Sequence, residues 1–231
     1  MKPLKLLFHG RDFIDKVIVV AAEADVLDRI EFIIQQPFDT DAIIWRYNPL
    51  GRHPALVMED GTVLCHGLLV CEYLDSLSSG HRLFPPDASR WKAKALANLG
   101  DGLFDATSAL VVQGLRPAAE RNRDDMLRHR ERILHLLPAM DREAAHFGAQ
   151  DFHIGHVCFA SGLNFFDLRK PLGRVTLFGD DALFDWRVRH PGLAAWYDRV
   201  LARPSLRVRP SQLGVPSQHA PAPEAMTSTG R

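Results

Sequence analysis

The run SLSSGHRLFPPDAS, residues 76–89, most constrains how this chain can fold, because it separates two stretches of different periodicity. Before it, short apolar runs alternate with helical patterns; after it, helical spacing continues almost without interruption. Ser, Gly and Pro clustered in this way punctuate a chain. A sequence divided like this builds a small α/β layer structure followed by a bundle of helices. Residues 79–87 are therefore assigned as a linker between an N-terminal domain, 1–78, and a helical domain, 88–210.

The first part reads element by element. Leu4 to Phe8 is an apolar run of strand length. FIDKVIVVAAEADVL follows, with Phe13, Val17, Val20, Ala21 and Ala24 at helical spacing and Asp12 placed to cap its start. Arg29 to Ile34 alternates as a second strand, and DTDAIIWRY is a short helix stopped by Asn48-Pro49. PALVM and TVLC, joined by Glu59-Asp60-Gly61, predict a hairpin. Gly67 to Leu77 returns to helical spacing, which completes the order βαβαββα. Beyond the linker, helices are predicted over Ser89 to Val112, Asp124 to Phe147, Ile154 to Leu168 and Pro191 to Ala202. The Pro/Ala/Ser-rich end, 211–231, has little to bury and reads as a flexible tail.

Charge and cysteine usage narrow the function classes. Lys plus Arg and Asp plus Glu each number 28, so the chain has no basic excess to attract nucleic acid or a membrane surface. Three cysteines without CxxC spacing fit a reducing compartment, and no apolar run is long enough for a signal peptide or a membrane span. A cytoplasmic location is expected.

The stretch NPLGRHPALVMEDGTVLCHGLLVCEYLDSL, residues 48–77, together with FFDLR and FDWRVRHPGLAAWYDRVLARPSLRVRP, resembles the cytosolic glutathione S-transferases of bacteria from about Leu4 to Pro210. The resemblance implies a thioredoxin-like N-terminal domain on an all-helical C-terminal domain, usually paired as a homodimer. It implies glutathione as cosubstrate and a small electrophilic molecule as the second substrate. Fold alone does not fix function, so the site residues are weighed separately.

On this resemblance Pro54 matches the family's cis-proline, whose turn exposes the preceding backbone to ligand. The group that stabilises the thiolate is expected after strand one, but FHGRDFIDKV offers no hydroxyl or thiol. His9 and Arg11 are the candidates there, Arg11 acting by charge as cations do for low-pKa thiols. The acid-serine pair that opens the third helix and binds the γ-glutamyl end is replaced by His66-Gly67, and the residue before the proline is His53. Gly67 keeps a backbone N–H for a carboxylate but has no hydroxyl. This predicts glutathione binding about ten- to a hundredfold weaker than with the pair intact, and a gain on restoring it as His66→Glu with Gly67→Ser.

His9, His53 and His66 thus stand at three corners of the expected site, where imidazoles can bind a metal, act as a base or hold an anion. No HxxxH spacing supports the metal. Cys65 beside the site is a candidate for a mixed disulfide, against the plainer reading of a small apolar residue; Cys71 and Cys158 read as core. Asp105, Ser108 and Arg116, with Asp101 and Val112, recur at helical spacing where the family binds its second substrate, and a solvated helix face explains them equally well. The family's helix-capping box reads His153-Ile154-Gly155-His156, and losing its Asp is expected to loosen that helix start by about 1 kcal/mol. Two other function classes stay open: a binding protein that kept the fold and lost the glutathione site, and an enzyme of histidine chemistry that never uses glutathione.

Overall fold

The computed structural model describes residues 4–8, 13–34, 43–80, 82–169, 185–209 and 213. His9, Arg11 and Asp12, residues 39–42 of the short helix expected before Asn48, and all of the tail except Leu213 lie outside the described residues.

Strand β1 (Leu4–Phe8) is almost wholly buried, which is why it reads as a continuous apolar run and not as an alternating one. It pairs in parallel with β2 (Ile30–Ile34), Leu4 opposite Ile30 through Phe8 opposite Ile34. On its other side β3 (Ala55–Val57) runs antiparallel, with Leu6 opposite Leu56, and β4 (Val63–Cys65) closes the hairpin. The sheet order is β2-β1-β3-β4. Helices α1 (Lys16–Glu23) and α2 (Gly67–Ser76) pack together, so this part has the thioredoxin-like arrangement. Helix α1 is capped by Asp15, whose side chain accepts from the Val17 N–H at 2.8 Å, and not by Asp12. The expected helix over 39–47 is, within the described residues, one 3₁₀ turn over Ile43–Arg46.

The C-terminal part consists of α3 (Ser89–Leu115), α4 (Arg123–Ala144), α5 (Ile154–Arg169), α6 (Trp186–Arg189) and α7 (Pro191–Val200). Helix α5 is buried on every side from Ile154 to Leu163, as a helix that is apolar all round must be. It lies against α3 at glycine distance: a Cβ on Gly100 would sit 2.3 Å from the Cys158 carbonyl carbon, and one on Gly162 would sit 2.5 Å from the Gly100 oxygen. No side chain fits there, so the two backbones touch.

The segment expected to be a linker has no helix or strand among its described residues, yet it is not a free tether. Leu83 and Phe84 are buried, and their N–H groups donate to the Asp75 carboxylate of α2 at 2.6 and 3.3 Å. The Leu83 carbonyl in turn accepts from the Ile154 N–H, the first residue of α5, at 3.0 Å. Elsewhere on this seam Arg203 and Ser205 donate to Glu23 of α1, and the Ile14 N–H donates to Asn164 of α5 at 2.7 Å. One apolar core runs through both parts, from Leu4 to Leu206.

The start of α5 is not loosened. The His153 N–H donates to His156 Nδ1 at 3.1 Å, and the Gly155 N–H donates to His153 Nδ1 at 3.1 Å. Two imidazoles rebuild the box that the Asp was expected to leave open.

Candidate functional site

The corner between β3 and α2 gathers most of the expected site residues. The His53–Pro54 peptide bond is cis, and both residues are half-buried at the head of β3. Across the hairpin, Cys65 ends β4 opposite Ala55, and burial pushes its thiol up, which disfavours the thiolate a mixed disulfide requires. His66 follows with φ of 99°, a conformation that side chains with a Cβ seldom adopt. Its imidazole is exposed and makes no capping hydrogen bond to α2, so this residue leaves the first N–H groups of the helix uncapped. The positive end of the helix dipole therefore opens toward this corner.

One residue that the sequence does not assign to the site, Lys16, reaches the same corner, and Asp101, expected on the second-substrate face of α3, meets it there. Lys16, the first residue of α1, extends beside Gly67: a Cβ on Gly67 would sit 2.6 Å from Lys16 Cε and 3.1 Å from its Nζ. The Lys16 ammonium is held by Asp101 of α3 at 2.5 Å, with each side chain about a fifth exposed, 20% and 18%. Burial is the strongest single influence and works against that ammonium, but the Asp101 charge and hydrogen bond, together with the Cys158 and Cys71 thiols, more than offset it and hold Lys16 above its ordinary value. A side chain at Gly67 makes the flexible end of Lys16 shift, so the double change His66→Glu with Gly67→Ser also bears on the Lys16–Asp101 contact.

Asp105 stands one turn beyond Asp101 on the same face of α3. Partial desolvation and the Asp101 charge raise its carboxyl, while Lys16, Arg52 and His66 pull it down. Asp105 therefore senses three cationic or protonatable groups around the start of α2. Arg52, just before His53, is exposed on the same rim. Ser108 is half-buried on α3, whereas Arg116 is the exposed residue that ends the helix, about 16 Å along its axis from Asp105. Among the described residues no group of three or more His, Cys, Asp or Glu is placed to hold a metal ion, and His9 lies outside them. Cys71 and Cys158 are buried, and burial drives both thiols upward.

Residues 13–77 match the family model of the glutathione S-transferase N-terminal domain. The structure superposes with a TM-score of 0.77 on a glutathione transferase family member of Pseudomonas fluorescens Pf-5 with bound glutathione, 31% identical, over 88% of this chain and 96% of that one. The chain belongs to the glutathione transferase family. A glutathione S-transferase of Methylobacillus flagellatus KT with glutathione bound is 25% identical over 88% of this chain and 96% of its own, with a TM-score of 0.76. The GST-like protein YibF of Escherichia coli K12 is 29% identical over 130 residues, 56% of this chain and 63% of that relative's length.

This member of the family has the cis-proline corner at His53–Pro54, whereas the head of α2 carries His66-Gly67 in place of the acid-serine pair that the resemblance implies, and Asp101 and Asp105 stand on α3. The sequence carried a signal for this. Lys16 follows Asp15 at the head of the apolar run VIVVAA, and Asp101 and Asp105 are spaced one turn apart on a helix that is otherwise largely apolar on its buried side.

Proposed function

We propose that the chain binds glutathione between the Pro54 corner and α3, and uses it in attack on a small electrophilic molecule. The observation that carries this reading is the mixed-charge rim at the start of α2, where uncapped N–H groups and Lys16 lie beside Asp101 and Asp105. A γ-glutamyl end is a zwitterion and needs both signs. Its carboxylate suits the helix start with Lys16 nearby, and its ammonium suits Asp105. His53, beside Pro54, offers its backbone to the cysteinyl part. Arg11 or His9 takes the role of the missing hydroxyl at the thiolate, and Ser108 and Arg116 belong to the second substrate's side. The exposed Trp91 and Leu69 favour a second copy of the chain as partner, and the free cysteines fit a cytoplasmic setting.

Calorimetric titration with glutathione, followed by a turnover assay with a chloronitroaromatic electrophile, tests the proposal. Binding with turnover is the expected result. Asp105→Asn should weaken binding about tenfold, the loss of one charge-assisted hydrogen bond. Glutathione lacking its α-amino group should bind the wild type and Asp105→Asn equally. A second reading, binding without turnover, is favoured by the absence of any hydroxyl or thiol between Phe8 and Val17. No heat of binding at ten-millimolar-order glutathione overturns both.

A further inference from the structure

We propose that the paired imidazoles of His153 and His156 form an acid-operated latch on the seam between the α/β part and the helices. The argument begins with which atom carries which proton. A backbone N–H only donates, so the His153 N–H at 3.1 Å makes His156 Nδ1 an acceptor and leaves the ring's proton on Nε2. His156 Nε2 is buried and has no hydrogen-bond partner. The ring is fully buried, edge-on to Phe147 with centroids 4.3 Å apart, stacked toward Phe152 at 6.3 Å and tilted against Trp196 at 5.9 Å.

A second proton has one place to go, His156 Nδ1, the atom that accepts from His153. Protonation and closure of the box therefore exclude each other, because a donor would then face a donor. The same holds at His153 Nδ1, which accepts from the Gly155 N–H at 3.1 Å. The charged groups facing His156 are Asp151 from the preceding loop, which favours the imidazolium, and His153 and Arg203, which oppose it. The turn after α4 presents the Phe147 ring and helix α7 the Trp196 ring. Burial, more than these charges, holds the ring neutral, lowering it to about 3.

The position of the box gives the latch its load. Ile154, between the two histidines, makes the bond to the Leu83 carbonyl at 3.0 Å that joins α5 to the segment after α2. Arg203, 3.8 Å above the Phe152 ring, is the residue that grips Glu23 of α1. A charge on His156 pushes on both attachments at once.

The sign follows from linkage. The folded ring resists the proton and the unfolded ring takes it near 6.5, so stability is constant above that pH and falls as pH drops toward 3. The test compares urea unfolding of the wild type and His156→Gln between pH 7.5 and 5. Below pH ~6 the wild-type unfolding constant should rise by up to about tenfold per pH unit beyond the rise in the variant, one proton's worth. Parallel curves overturn the proposal. Should the variant fail to fold, ring nitrogen shifts of the folded wild type decide: His156 should stay neutral with its proton on Nε2 at pH 5, and a titration near 6.5 overturns the latch. Amide exchange adds the seam itself. His153 and Ile154 should lose protection in acid before Phe159 of the same helix, and equal protection at pH 7 and 5 counts against it.

Discussion

Helices α2 and α5 both begin at a histidine in a position where the glutathione transferase family prefers a polar or acidic group, and the two starts have opposite physics. At α2 the imidazole of His66 is exposed, sits on a backbone with φ of 99° and bonds to nothing in its helix. At α5 the His153 and His156 rings accept two N–H groups, and His156 is wholly buried. The first start spends backbone strain and leaves its amides available, as a binding site requires. The second closes every amide it can and is part of the core. The same residue type therefore leaves one helix start open and closes the other, and solvent access separates the two.

The largest test of this contrast is His156→Ala. It empties an aromatic-sized space and strips the His153 N–H of its acceptor, so urea denaturation at neutral pH should register a loss of about 3–5 kcal/mol. A loss near that of a surface residue would erase the distinction between the two starts. Next is Lys16→Met, which strands Asp101 beside the head of α2. Breaking a buried ion pair costs about 3–5 kcal/mol; the partial exposure of this one puts the expected loss near 3 kcal/mol, recovered in large part by adding Asp101→Leu. Gly67→Ser follows, at about 1–2 kcal/mol of overpacking against Lys16, and the penalty should vanish in a Lys16→Ala background when the four proteins are compared as a cycle. The smallest effect has the opposite sign. His66→Gly relieves the positive φ and should add about 1 kcal/mol of stability, measured as a raised melting temperature, whereas no glycine gain exists at His156.

These residues also mark where sequence reading succeeded and where it stopped. Leu4–Phe8, the hairpin over Ala55–Cys65, the start of α2 at Gly67 and the long helices α3 to α5 were legible, since each is dictated by local period and turn chemistry. The cap of α1, expected at Asp12 and found at Asp15, is not legible, because the two acids differ only in where the chain leaves the preceding loop. The His153–His156 spacing reads in the sequence as a loss, since capping preferences rank oxygen acceptors and pass over a neutral imidazole nitrogen. Lys16 is hidden for a different reason. A charge at the head of an apolar run is visible locally, but its partner Asp101 is 85 residues away, and the contact exists only once α1 and α3 pack.

The two-armed hold of Asp75 on Leu83 and Phe84, passed on through the Leu83 carbonyl to Ile154, has a thermodynamic consequence. A segment whose amides belong to α2 and whose carbonyl belongs to α5 cannot be released without exposing both. With one large apolar cluster reaching from Leu4 to Leu206, the α/β part and the helices are expected to share one melting event. Scanning calorimetry should show one peak whose calorimetric and van't Hoff enthalpies agree, and Asp75→Ala should split it into two. What the sequence presents as a linker between modules acts, on this prediction, as the rivet that joins them into one folding unit.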